Sequence, residues 1–165
     1  MHGRLRNSFG CRKKIGFELT TPTWDSGIGA ELKGGRWNPK GVKAVYCAVD
    51  PATTILELAV HMGFMALDTM PFILTCLQVT DVVDVHVVQP TDVPNAVWLH
   101  NGPPSGGQQI WGAALLDMHD FVLFPGVVSK SSWNIVFRPD RAMGKYQLVS
   151  QDPFSLDTRL NPPAP

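Results

Sequence analysis

The stretch VKAVYCAVDPATTILELAVHMG, Val42 to Gly63, constrains the fold more than any other part of the chain. VKAVYCAV is β-branched and aromatic without regular polar alternation, the pattern of a buried strand. Asp50-Pro51 then offers a helix start: an N-cap carboxylate followed by Pro at the first helical position, where its missing N–H costs nothing. The pattern ATTILELAVHM carries a helix to about Met62, and Gly63 is its stop. The chain's 14 prolines and 15 glycines call for many turns, so a mixed fold fits and a helical bundle or coiled coil does not.

FILTCLQV and VVDVHVV, within residues 72–88, read as two further strands, and Gln108 to Met118 as a second helix. FVLFPGVV and WNIVF read as two more strands, followed by KYQLV and a loose proline-rich tail. The segments Thr21 to Lys40 and Pro90 to Pro104 read as irregular loops. Strands and helices mixed without regular βαβ alternation predict an α+β single domain. At 165 residues one packed core is expected, with 1–16 as a flexible basic appendage, 17–160 as the folded domain and 161–165 as a loose tail.

The formal net charge is zero, yet Arg4, Arg6, Arg12, Lys13 and Lys14 all precede the first acidic residue, Glu18. The remaining body is therefore acidic, a poor match for a phosphate backbone, and direct nucleic-acid binding is not expected. Cys11, Cys47 and Cys76 are odd in number and widely spaced, which points to a reducing compartment. No apolar run approaches a bilayer span and no apolar signal core follows the basic start, so a cytoplasmic protein without a membrane partner is expected.

Glu57 lies inside the apolar stretch ILELAV, where a carboxylate needs a partner or a purpose. His61 stands four residues on, sharing its helix face. Arg36 lies in Gly34-Gly35-Arg36-Trp37-Asn38, where two glycines free backbone N–H groups and a guanidinium offers a fork of donors, a combination suited to pyrophosphate or carboxylate. Judged singly, Trp37 and Tyr46 read as core aromatics. The histidines and cysteines lack ligand spacing, so no metal is expected. GxSxG, GxGxxG and GxxxxGK[ST] are all missing.

Taken together, GAELKGGRWNPKG and AVYCAVDPATTILELAVH resemble the RES-domain family, whose pattern joins a GGRWN loop, a strand carrying Tyr and a helix carrying Glu before a His. FVLFPGVVSKSSWNIVF and DPFSLDTRL continue the resemblance. It implies an ADP-ribosyltransferase-like twisted sheet flanked by helices, and a toxin of a toxin–antitoxin pair that acts on NAD as substrate. Glu57, Arg36 and Tyr46 are the catalytic residues it implies: the carboxylate stabilising charge at the ribose carbon, the guanidinium holding phosphate, and the phenol contacting the nicotinamide side. Gly34, Gly35, Trp37, Asn38 and Ser129 complete the expected NAD-binding set. The reaction is cleavage of the nicotinamide–ribose bond by water or phosphate, or alternatively transfer of ADP-ribose to a protein. Pro125-Gly126 stands where the family has Pro-Ser, which motivates a further alternative, a RES-like domain that binds without turnover. The implied partner is a cognate antitoxin of helix-turn-helix type, with loops Trp24 to Asn38 and Pro90 to Pro104 as its contact surfaces.

Overall fold

The computed structural model describes residues 14–20, 24–80, 83–99 and 104–160. Along the chain it contains β1 (Lys14–Thr20), α1 (Ile28–Lys33), β2 (Val45–Ala48), α2 (Pro51–Met62), α3 (Phe64–Thr69) and β3 (Phe72–Val79). There follow β4 (Val85–Val87), α4 (Gly106–Met118), β5 (Phe121–Pro125), β6 (Trp133–Phe137), α5 (Pro139–Ala142) and β7 (Tyr146–Phe154). The seven strands form one sheet in the order β4-β5-β6-β2-β1-β3-β7. Only β4 and β5 run parallel; the other neighbours are antiparallel. This is the α+β sheet with flanking helices that the sequence predicts.

Alternation along β5 shows why its pattern is unbroken apolar. Val122 and Phe124 join a core with Trp37, Trp98, Leu115 and Leu116, while Phe121 and Leu123 join a second with Val45, Cys47, Ile135 and Phe137. Successive side chains point to opposite faces, so a strand covered on both sides has no polar position to spare. A third cluster, with Ala59, Leu67, Phe72 and Leu156, lies under α2 and α3. Among the described residues, no helix is long and apolar enough to cross a membrane.

Several boundaries differ from those read in the sequence. β1 begins at Lys14 and pairs with β3 from Lys14↔Val79 onward, so the last three residues of the segment read as an appendage belong to the sheet. Arg4, Arg6, Arg12 and Lys13, like the 161–165 tail, lie outside the described residues. The stretch read as loops up to Lys40 contains α1, six residues that propensity alone would not hold together. Tertiary bonds hold it instead: Gly41 N–H donates to Glu31 O (2.8 Å) and Asn38 Nδ2 donates to Ala30 O (3.0 Å). β7 extends to Phe154, with Pro153 opposite Ile73.

The start of α2 is built as its sequence predicts. Asp50 Oδ1 accepts from Thr53 N–H (2.8 Å), and Oδ2 accepts from the hydroxyls of Thr53 and Ser132, both at 2.7 Å. Burial by itself would push the Asp50 carboxyl up, but the bonds from Ser132 and Thr53 outweigh it and hold the group below the usual aspartate value. Asp50→Ala is expected to cost about 1–2 kcal/mol, seen as a fall in Tm of about 2–8 °C at neutral pH. With the folded pKa below the unfolded one, this stabilisation is whole above the unfolded value of about 3.9 and is lost as pH falls through the folded value. Thermal melts of the two proteins should therefore converge at acid pH. Equal Tm values at pH 7 would deny the cap any contribution.

Candidate active site

The loop between α1 and β2 is fastened from beneath by Asn38, which is fully buried at 0% exposure. Its Nδ2 donates to the carbonyls of Ala30, Pro39 and Val42, so one amide closes the end of α1 and gathers the chain on both sides of it. Its Oδ1 accepts from the Tyr46 hydroxyl at 2.6 Å, and that hydroxyl in turn accepts from Trp37 N–H at 3.0 Å. Burial pushes the Tyr46 phenol well above its ordinary pKa, against the opposing pull of the Trp37 N–H and the Arg36 charge, so the phenol stays a donor. A side chain on residue 35 would meet Asn38 Oδ1 at 2.6 Å and the Tyr46 hydroxyl closer still. Only glycine admits the phenol to this place.

α4 fixes the same loop from the other side. Gln109 Nε2 donates to Gly35 O (2.8 Å), and Gln108 Nε2 donates to Arg36 O (3.3 Å). Trp37, 1% exposed, stacks on Phe124 with ring centroids 4.2 Å apart and planes 8° from parallel. With Trp37 locked downward, Arg36 is presented outward, and its Nη1 donates to Trp98 O at 2.7 Å.

Arg36 and Glu57 line one cleft of about 200 Å³, together with His61 and the apolar Val60, Leu99, Val127 and Val128. A loop and a helix thus bring a guanidinium and a carboxylate to one hollow, and among the described residues no ion pair joins them. Glu57 is half-buried on α2, and its Oε1 accepts from Asn134 Nδ2 of β6 at 3.0 Å. That bond steadies the carboxylate without neutralising it. His61 lines the cleft, but the recorded partner of Glu57 is Asn134.

The other residues expected to touch NAD occupy different places. Tyr46, Trp37 and Asn38 lie beneath the loop, with the Tyr46 hydroxyl saturated, so they shape the presentation of Arg36 and are absent from the cleft lining. Gly34 ends α1, donating to Ala30 O at 2.8 Å. Ser129 does not line the cleft; its carbonyl accepts from Ser132 N–H at 3.0 Å and closes the turn after β5.

The model of the RES domain family matches residues 9–157. The chain belongs to the RES domain family. Among similar RES proteins is "Toxin Res" of Yersinia enterocolitica, 30% identical over 142 residues that cover 84% of this chain and 90% of that protein. "Prs ADP-ribosylating toxin" of a Sphingobium strain is 31% identical over 119 residues, 69% of this chain and 71% of that protein. In fold, this RES domain is similar to a chain of the M. tuberculosis MbcT–MbcA toxin–antitoxin complex, with a TM-score of 0.64 at 21% identity, covering 87% of this chain and 85% of that one.

Gly126, in place of the Ser expected of a RES domain, has a local cause. Its N–H donates to Ser132 O (2.9 Å), and a Cβ there would meet Ser129 O at 2.5 Å and Ser132 O at 3.0 Å. The tight turn leaves no room for a side chain, and it delivers Val127 and Val128 to the cleft wall.

Proposed function

We propose that this RES domain is a cytoplasmic toxin that cleaves the nicotinamide–ribose bond of NAD, restrained by a cognate antitoxin that closes the cleft. The observation that carries the reading is the meeting of Arg36 and Glu57 in one hollow, each held by neutral hydrogen bonds that leave its charge intact. In the reaction the bond from the ribose carbon to the nicotinamide nitrogen breaks, and its electron pair leaves with the ring as neutral nicotinamide. The carbon gains oxocarbenium character, which the Glu57 carboxylate stabilises, as carboxylates do in glycoside hydrolysis. Arg36 holds a phosphate oxygen of the substrate through its remaining donors. The apolar side chains of Val60, Leu99, Val127 and Val128 lower the polarity around these charges, which strengthens their action on bound substrate. Water or phosphate then bonds to the carbon and gives up a proton.

Transfer of ADP-ribose to a protein is the second reading, favoured by the name of the Sphingobium relative. Incubation of the purified protein with NAD alone, with phosphate, and with cell lysate separates the outcomes by product. Free ADP-ribose marks hydrolysis, its phosphorylated form marks phosphorolysis, and a modified lysate protein marks transfer. Intact NAD in all three mixtures would falsify the proposal.

A further inference from the structure

We infer that Gln108, at the start of α4, is a positioning residue for NAD binding, because it ties the main chain of Arg36 to the segment that receives the Arg36 guanidinium. The inference rests on the NAD reading above and adds a determinant of affinity outside the cleft lining. Gln108 is 1% exposed, and an amide so buried is tolerated only where its polar atoms are bonded. Its Nε2 donates to Arg36 O at 3.3 Å, and its Oε1 accepts from Asn95 Nδ2 at 2.9 Å. Asn95 O accepts from Trp98 N–H at 3.1 Å, and Trp98 O accepts from Arg36 Nη1 at 2.7 Å. The four bonds close a ring: Arg36 main chain, Gln108, Asn95, Trp98, Arg36 side chain.

The ring does what no single bond in it can. The segment carrying Asn95 and Trp98 has no strand pairing over these residues, yet it supplies Leu99 to the cleft wall and the carbonyl that aims Arg36. A guanidinium held at its backbone and at its tip is set in one rotamer before substrate arrives, so binding does not have to order it. Glu57 lies outside the ring, fixed by Asn134, so the chemical step is served separately. Loss of the ring should weaken NAD binding and leave turnover of bound NAD nearly unchanged.

The test uses Gln108→Met, which keeps length and volume while removing both hydrogen bonds, and Asn95→Ala, at a half-buried position where folding is less at risk. Nicotinamide release is followed against NAD concentration, and calorimetry measures NAD binding in the Glu57→Gln background. The expected result is a rise in KM of about ten- to a hundredfold for Gln108→Met and a smaller rise for Asn95→Ala. kcat stays within about threefold of wild type, and Kd rises in step with KM. A lower Tm with unchanged KM and Kd in both variants overturns the inference, because Gln108 then only packs. A fall in kcat at unchanged KM overturns it too. Wild-type protein that leaves NAD intact overturns the NAD reading itself, whereas wild-type turnover with unshifted variants overturns this inference alone.

Discussion

On the proposed NAD reading, Glu57→Gln is expected to lower nicotinamide release by about a thousandfold or more while leaving the Tm within a few degrees of wild type. The substitution keeps shape and removes charge, and the two consequences separate cleanly. Asn134 Nδ2 bonds one carboxylate oxygen at 3.0 Å, and a glutamine carbonyl can accept the same bond, so the packing of α2 against the sheet is untouched. In the proposed reaction, what disappears is the negative charge that would face the ribose carbon as it becomes cationic. Preorganised electrostatic groups of this kind contribute about a hundred- to a thousandfold each, and a full charge in a partly apolar cleft belongs at the upper end. Chromatographic measurement of nicotinamide, paired with a thermal melt, gives both readings on one sample. A variant that consumes NAD at the wild-type rate would remove Glu57 from the mechanism.

Much of the frame around Glu57 was legible because local chemistry and tertiary structure agree there. Asp50-Pro51 and Gly63 bracket α2 as capping rules require, and the apolar run before them is a strand buried on both faces. α1 was hidden because six residues bracketed by Gly27 and Gly34 look like a loop, and the bonds that make them helical come from Asn38 and Gly41. Tyr46 shows the opposite limit. The family pattern marks its position, but only coordinates reveal a hydroxyl spent on Asn38 and Trp37 beneath the loop. Two residues outside the expected site set also left a signal in the sequence. Asn134 shares a strand face with buried Val136, and Gln108 shares a helix face with buried Gly112, Leu115 and Leu116. A polar side chain on an otherwise buried face demands a partner, and in both cases the partner belongs to the site. Gly126 could be read as a departure from the family, but not as the consequence of a turn that excludes any Cβ.

Gly112→Ala is the second substitution with a large expected effect, and its sign runs against helix propensity. In the interior of α4 an alanine should stabilise by about 1 kcal/mol relative to glycine. Here the added Cβ would lie 2.9 Å from Trp37 Cα and 3.0 Å from Trp37 C, and nearer still to Trp37 O. These are backbone atoms, which have no rotamer to turn aside. Nor can Trp37 retreat, because its ring is stacked on Phe124 and its N–H is bonded to Tyr46. The helix must move instead, and overpacking of this kind outweighs the propensity gain, for a net loss of at least about 2 kcal/mol and a fall in Tm of about 4–8 °C. The same displacement would withdraw Gln108 and Gln109 from the carbonyls of Arg36 and Gly35, so the proposed NAD cleavage should fall along with stability. Gly107→Ala provides the control within the same helix, since a Cβ at that position meets nothing within 4 Å. It should leave the Tm unchanged or raise it. Equal melting temperatures for the two variants would show that α4 and the arginine loop are not in the contact that the fold assigns them, and that the site tolerates a helix free to shift.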